Sequence, residues 1–329
     1  MDLASIRRRI FSISNPHEFN ETALDIFRYQ SKFNPVYREF VNRIGIVSTD
    51  VHSLEQVPFL PISFFKSHKV IAEGLTEQLT FESSGTTGMI PSRHFVADSG
   101  IYEESFNKGF ERFYGDISNY CIFALLPSYL ERGNSSLVYM VERLRWKSNK
   151  SFGGFFLNER EQLLKSIKEA QSENRKVILF GVTFALLELA DTPGINLEDV
   201  IIFETGGMKG RGKELTRMEL HEKLCTGLGV KSVHSEYGMT ELLSQAWSKG
   251  DGKFICPPWM KIVISDPNDP MDVLENGRSG GIQVIDLANL YSCSFIATQD
   301  LGRKFSETEF EVLGRFDHSD IRGCSLMLS

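Results

Sequence analysis

Ser83-Ser84-Gly85-Thr86-Thr87-Gly88 holds four hydroxyl side chains and two glycines in six consecutive positions, directly after the strand-like Leu79-Thr80-Phe81-Glu82. The glycines let the backbone turn several N–H groups toward one point, and the hydroxyls add donors around it, which is the make-up of an anion nest. The same composition also suits a plain surface turn, and the loop by itself does not decide between the two. A second glycine-rich stretch, Gly207-Met208-Lys209-Gly210-Arg211-Gly212-Lys213-Glu214, comes close to the phosphate-binding pattern GxxxxGK[ST]. Glu214 stands where that pattern needs a magnesium-binding hydroxyl, and a carboxylate there repels phosphate, so a P-loop NTPase is rejected. The cysteines are Cys121, Cys225, Cys256, Cys293 and Cys324. No two are spaced as a metal or redox pair, their number is odd, and a reduced, cytoplasmic protein is expected. The histidines lie singly and suggest no zinc site. Among them, His234 could touch a substrate carboxylate or simply be a satisfied histidine near a strand end.

The elements that must position these residues follow from periodicity. The first 50 residues carry amphipathic helical spacing, and Val57-Pro58-Phe59-Leu60-Pro61-Ile62 reads as an extended connector, because each proline pushes its predecessor out of the helical region. From Leu79 onward, strands are expected at Leu79–Glu82, Cys121–Leu126, Val177–Phe180, Val200–Phe203 and Lys231–His234. Helices are expected at Gly100–Tyr114, Ser136–Trp146, Glu159–Ser172 and Lys213–Cys225. Such alternation implies an α/β layer with mainly parallel strands. Short strands then follow at Lys261–Ser265, Gly281–Asp286, Cys293–Thr298 and Glu309–Leu313. The expected organisation is a helical region and connector over 1–78, an α/β nucleotide-binding core over 79–252, a small β subdomain over 253–316 and a tail over 317–329.

The chain has 329 residues, 41% hydrophobic and 24% charged, with a net charge of −7. The length supports a core without metal or disulfide staples. The acidic balance argues against nucleic acid or an anionic membrane surface as a general partner. Arg7-Arg8-Arg9 is followed by no apolar stretch of signal-peptide type, and the longest apolar runs are too short to span a bilayer, so no stable membrane insertion is expected.

Downstream of the loop lie Tyr237-Gly238-Met239-Thr240-Glu241, Thr298-Gln299-Asp300 and Gly314-Arg315-Phe316-Asp317. With these in order, the sequence resembles the adenylate-forming superfamily of acyl-CoA ligases and luciferases. Pro61-Ile62-Ser63-Phe64-Phe65-Lys66, Gly88-Met89-Ile90-Pro91-Ser92-Arg93, Thr205-Gly206-Gly207-Met208-Lys209 and Pro257-Pro258-Trp259-Met260 are similar to one branch, the bacterial acyl-protein synthetases, over nearly the whole chain. Phenylacetate-CoA ligases share much of this pattern.

The resemblance implies the fold of the large domain of adenylate-forming enzymes and an ATP-dependent activation of a fatty acid as acyl-adenylate. It puts Ser83, Ser84, Gly85, Thr86, Thr87 and Gly88 on the ATP phosphates. It gives Gly206, Gly207 and Tyr237 to the adenine slot, Gly238 and Met239 to the nucleotide, Thr240 to the α-phosphate, Glu241 to Mg2+, and Asp300 with Arg315 to the ribose. Outside the motif, Tyr237 reads as a core aromatic and Asp300 as a turn residue. The superfamily usually continues past the hinge into a mobile domain bearing an adenylation lysine. Here that domain is expected to be lacking, with Lys66, Lys209 or Arg322 as candidates to assist. In the acyl-protein synthetases a cysteine near the C-terminus accepts the acyl group. Cys324 stands there, either as that acceptor or as a packing residue beside Leu326 and Leu328, and the implied partner is an acyl-CoA reductase or acyl carrier. A CoA ligase of the phenylacetate type and a degenerate nucleotide-binding scaffold are the rival expectations.

Overall fold

The computed structural model describes residues 2–83, 90–127, 133–149, 151–206 and 215–316. The chain divides into two compact units, Met1–Leu75 with Pro258–Ser329, and Thr76–Pro257.

The first unit opens with helices α1 (Leu3–Ile10), α2 (Pro16–Phe33) and α3 (Pro35–Arg43). Asn15 caps α2 by accepting the Glu18 N–H at 3.0 Å, and Pro16 fills the first helical position, where no N–H is missed. Asn34 ends α2 and starts α3, and its side-chain amide also donates to the Ser292 carbonyl at 2.7 Å. The connector forms the two-residue strand β1 (Leu60–Pro61), followed by the short helix α4 (Phe64–Ser67).

The second unit begins with β2 (Leu79–Glu82) and β3 (Arg93–Val96), then α5 (Ser99–Tyr114), β4 (Tyr120–Leu125), α6 (Ser136–Lys147) and β5 (Gly154–Phe155). It continues with α7 (Arg160–Ser172), β6 (Lys176–Gly181), α8 (Thr183–Ala190), β7 (Val200–Glu204), α9 (Arg217–Leu228), β8 (Val233–Tyr237), β9 (Ala246–Ser248) and β10 (Lys253–Ile255). Its sheet runs β10-β9-β8-β7-β6-β4-β5, parallel from β8 to β5 and antiparallel across β8, β9 and β10. Helices cover a sheet whose β4 is buried along its whole length, and the Phe180 and Phe203 rings stack at 4.6 Å within it.

The expected strands and helices of this unit are present, although β8 begins at Val233 rather than Lys231 and the short strands β5, β9 and β10 were not expected; three other differences have a physical reason. Leu79–Glu82 does not join the parallel layer: β2 pairs antiparallel with β3 in a separate hairpin, Phe81 opposite His94. Helix α9 starts at Arg217 rather than Lys213, because Thr216 and Glu219 form a capping box. Helix α8 was not expected, since it is apolar on every face apart from Thr183 and Glu188 and shows no amphipathic period.

The first unit closes with β11 (Met260–Ser265), β12 (Ser279–Asp286), β13 (Phe295–Lys304) and β14 (Glu309–Arg315), an antiparallel sheet with β1 lying parallel on β13. Strand β13 extends well past Thr298, so Asp300 is a strand residue opposite Arg315 and not a turn residue. Ladder bonds to two neighbours override the local turn propensity of Gln299-Asp300-Leu301-Gly302. The α2 helix packs on this sheet through Gln30, whose side chain bonds Asn289, Leu290 and Ser294.

Candidate active site

In an open α/β sheet, ligands gather outside the carboxyl ends of the parallel strands. Strands β6, β7 and β8 end at Gly181, Glu204 and Tyr237, and the motif residues lie at two of these ends.

After β7 the chain turns through Gly206 at φ +78°, a left-handed conformation that glycine adopts without a Cβ penalty. The buried Glu204 carboxylate fixes that turn by accepting the Gly206 N–H at 2.7 Å and the Thr183 hydroxyl, while the Thr205 N–H donates to the Gly181 carbonyl at 3.1 Å. After β8, Tyr237 is largely buried, its ring 5.9 Å from that of Phe254. A Cβ at Gly238 would overlap Glu236 Oε1, so any side chain there would displace the Glu236 carboxyl. Met239 and Thr240 are half-buried, and Glu241 is buried. The Leu242 N–H closes the turn on the Met239 carbonyl at 3.1 Å. Two further bonds hold it: His94 Nδ1 to the Thr240 carbonyl at 2.9 Å, and Ser105 to Ser244 at 3.1 Å.

Burial, and then the nearby Glu204, push the Glu236 carboxyl up to about 8, so it carries its proton at neutral pH. Burial, and then Lys249, bring His234 down to about 4. His234 is therefore a neutral imidazole, 3.1 Å from the Tyr114 hydroxyl and packed against the Tyr114 and Phe203 rings, with no charge to offer a substrate carboxylate.

Of the loop 83–88 only Ser83 belongs to the described residues. Its N–H donates to the Ser92 carbonyl at 3.0 Å and its hydroxyl accepts the Ser92 N–H at 2.8 Å, so Ser83 latches the base of the β2–β3 loop. Ser84, Gly85, Thr86, Thr87, Gly88, Gly207 and Cys324 lie outside the described residues, as do Lys209 and Arg322.

In the other unit, Asp300 is nearly buried. Its N–H donates to Thr298 Oγ1 at 3.1 Å, and Arg315 Nε stands 3.3 Å from its carboxylate. The Arg315 side chain is 81% exposed, so this ion pair contributes little to stability and leaves the guanidinium able to move. A groove of about 730 Å3 between the start of α7 and α8, lined by Leu157, Arg160, Phe184 and Glu188 among others, holds none of the candidate residues. Three residues tied to the motifs were missed in the sequence: His94, Glu204 and Glu236. Only their bonds and burial reveal them.

The sequence profile of the family described as "Acyl-protein synthetase, LuxE" matches residues 11–329. The chain belongs to the LuxE acyl-protein synthetase family. No curated protein matches it in sequence. Among solved structures it is similar to 2-hydroxyisobutyryl-CoA ligase in complex with 2-HIB-AMP and CoA: TM-score 0.68, 14% identity, covering 93% of this chain and 72% of that one. It is also similar to ATP-bound MatB from Rhodopseudomonas palustris: TM-score 0.54, 17% identity, covering 72% of this chain and 47% of that one. At these identities the likeness is one of fold, that of the adenylate-forming ligases. LuxE-family membership on that fold makes the chain an acyl-activating, AMP-forming ligase. Among the described residues, no helix is long and apolar enough to cross a membrane.

Proposed function

We propose that the chain uses ATP to convert a medium- or long-chain fatty acid into an acyl-adenylate, then carries the acyl group as a thioester on Cys324 for delivery to a partner reductase or acyl carrier. One observation carries this reading: Gly206 and the turn Tyr237–Glu241 sit at the carboxyl ends of neighbouring parallel strands in a LuxE-family chain. ATP bound to MatB on the same fold is in keeping with it.

In this reading the loop 83–88, Thr87 included, cradles the phosphates. Gly206, Gly207 and Tyr237 receive the adenine, Gly238 and Met239 line the nucleotide, and Asp300 and Arg315 take the ribose hydroxyls. Glu241 is a hard oxygen donor suited to Mg2+, which is bound through one or two carboxylates plus phosphate oxygens and needs no protein cage. The donor set fits that minimal kind of site: Glu241 is a buried carboxylate at the end of the turn. Magnesium would neutralise phosphate charge there.

The fatty acid's carboxylate oxygen attacks the α-phosphorus, the bond to the bridging oxygen breaks, and pyrophosphate leaves with the electron pair. Thr240 and the loop's N–H groups stabilise the charge that develops. The Cys324 sulfur, after losing its proton to solvent, then attacks the acyl carbonyl and expels AMP. A thiol near pKa ~8.5 is only a few per cent thiolate at neutral pH, so this second step speeds up with rising pH.

Incubation with labelled hexadecanoic acid, ATP and Mg2+ tests the reading. A hydroxylamine-sensitive protein adduct that disappears in Cys324→Ala, with ATP–pyrophosphate exchange retained, supports it. Acyl-CoA release by Cys324→Ala on addition of CoA would favour a CoA ligase instead.

A further inference from the structure

We propose that His94 is a positioning residue that locks the β2–β3 hairpin to the Thr240–Glu241 turn, so that Thr240 and Glu241 are held in place for the nucleotide from outside the parallel sheet. This rests on the adenylation reading above. Strands β2 and β3 pair with each other and stand apart from the parallel sheet. The hairpin therefore takes no register from the ladder that places β7 and β8. His94, on β3 and fully buried, supplies that register from 146 residues away in sequence. A carbonyl only accepts, so Nδ1 carries the hydrogen in this 2.9 Å bond.

The bonded atom matters. The Thr240 carbonyl and the Glu241 N–H belong to one rigid peptide plane. Holding that oxygen sets the plane from which both the Thr240 and the Glu241 side chains depart. The Ser105–Ser244 bond holds the far end of the same segment from α5, and the Leu242-to-Met239 bond closes it. The His94 bond is the clamp that comes from the loop's own hairpin. At the loop's base, the two bonds between Ser83 and Ser92 carry the constraint on to the first loop residue. His94 touches no reacting atom in this account. It acts through Thr240 and Glu241.

The test measures KM for magnesium-ATP and for the fatty acid, by ATP–pyrophosphate exchange with hexadecanoic acid, in His94→Leu and His94→Asn. Leucine keeps the bulk and loses the donor, and asparagine keeps an N–H where Nδ1 stood. Orphaning a buried acceptor costs enough that KM for magnesium-ATP rises about tenfold or more in His94→Leu. KM for the acid stays unchanged, and His94→Asn recovers most of the loss. A merely structural role lowers the amount of active protein and leaves both KM values alone. Unchanged KM for magnesium-ATP in His94→Leu, or no recovery in His94→Asn, overturns the proposal. If His94→Leu does not fold, His94→Gln replaces it, because its amide overlays Nε2 rather than Nδ1 and should behave as donor-deficient. Wild-type protein that neither exchanges nor is thermally stabilised by magnesium-ATP sinks the nucleotide reading and this proposal with it. A responsive wild type beside an unaffected His94→Leu sinks this proposal alone.

Discussion

Glu236→Gln isolates one partly buried carboxyl next to the motif. The wild-type carboxyl, normally near 4.5, is pushed up to about 8 by burial and then by Glu204. Between those two pH values the folded chain holds a proton that the unfolded chain has released. The group's contribution to stability is therefore full below about pH 4.5, falls as pH rises, and is lost once pH passes about 8. One proton corresponds to at most about 1.4 kcal/mol per pH unit. Glu236 is only half-buried, so solvent trims that slope, and about 2–4 kcal/mol between about pH 5 and about pH 8 is the expected range. Glutamine keeps the shape and cannot ionise, so it removes the slope. Melting temperatures of wild type and Glu236→Gln should nearly coincide at about pH 5. At about pH 8 the variant should melt roughly 5–10 °C higher, given a few degrees per kcal/mol for a body of this size. A difference between the two proteins that is the same at both pH values would refute the reasoning, since it would mean that Glu236 titrates alike folded and unfolded.

Three further outcomes are expected. Thr87→Val removes a hydroxyl from the proposed phosphate cradle and should lower pyrophosphate exchange severely; near-normal exchange would end that assignment. Gly206→Ala forces a Cβ into a left-handed turn at about 1–2 kcal/mol and should raise KM for ATP while lowering the melting temperature, which steady-state exchange and calorimetry check together. Asp300→Ala leaves β13 paired and should raise KM for ATP several-fold with KM for the fatty acid unchanged; equal rises in both would argue against a ribose contact.

Much of the architecture was legible because the parallel strands are continuous apolar runs. Tyr120–Leu125 and Lys176–Gly181 sit within a residue of where their apolar runs predicted. What stayed hidden was decided by tertiary pairing. Arg93-His94-Phe95-Val96 starts two residues after Pro91 and begins with a charge, yet it becomes a strand because β2 lies beside it. Asp300 reads as a turn until β12 and β14 flank it. The proposed site reads in the sequence as motifs and not as a network: Gly206 and Tyr237 stand within them, whereas His94, Glu204 and Glu236 are ordinary polar residues until burial and hydrogen bonds give them partners.

Acid-dependent ATP–pyrophosphate exchange, run with purified chain, magnesium and saturated acids from octanoate to octadecanoate, tests the central claim most directly. The account predicts exchange that requires both the acid and magnesium, is fastest with the longer acids, and survives in Cys324→Ala. Protein that folds and yet exchanges with none of these acids would contradict it.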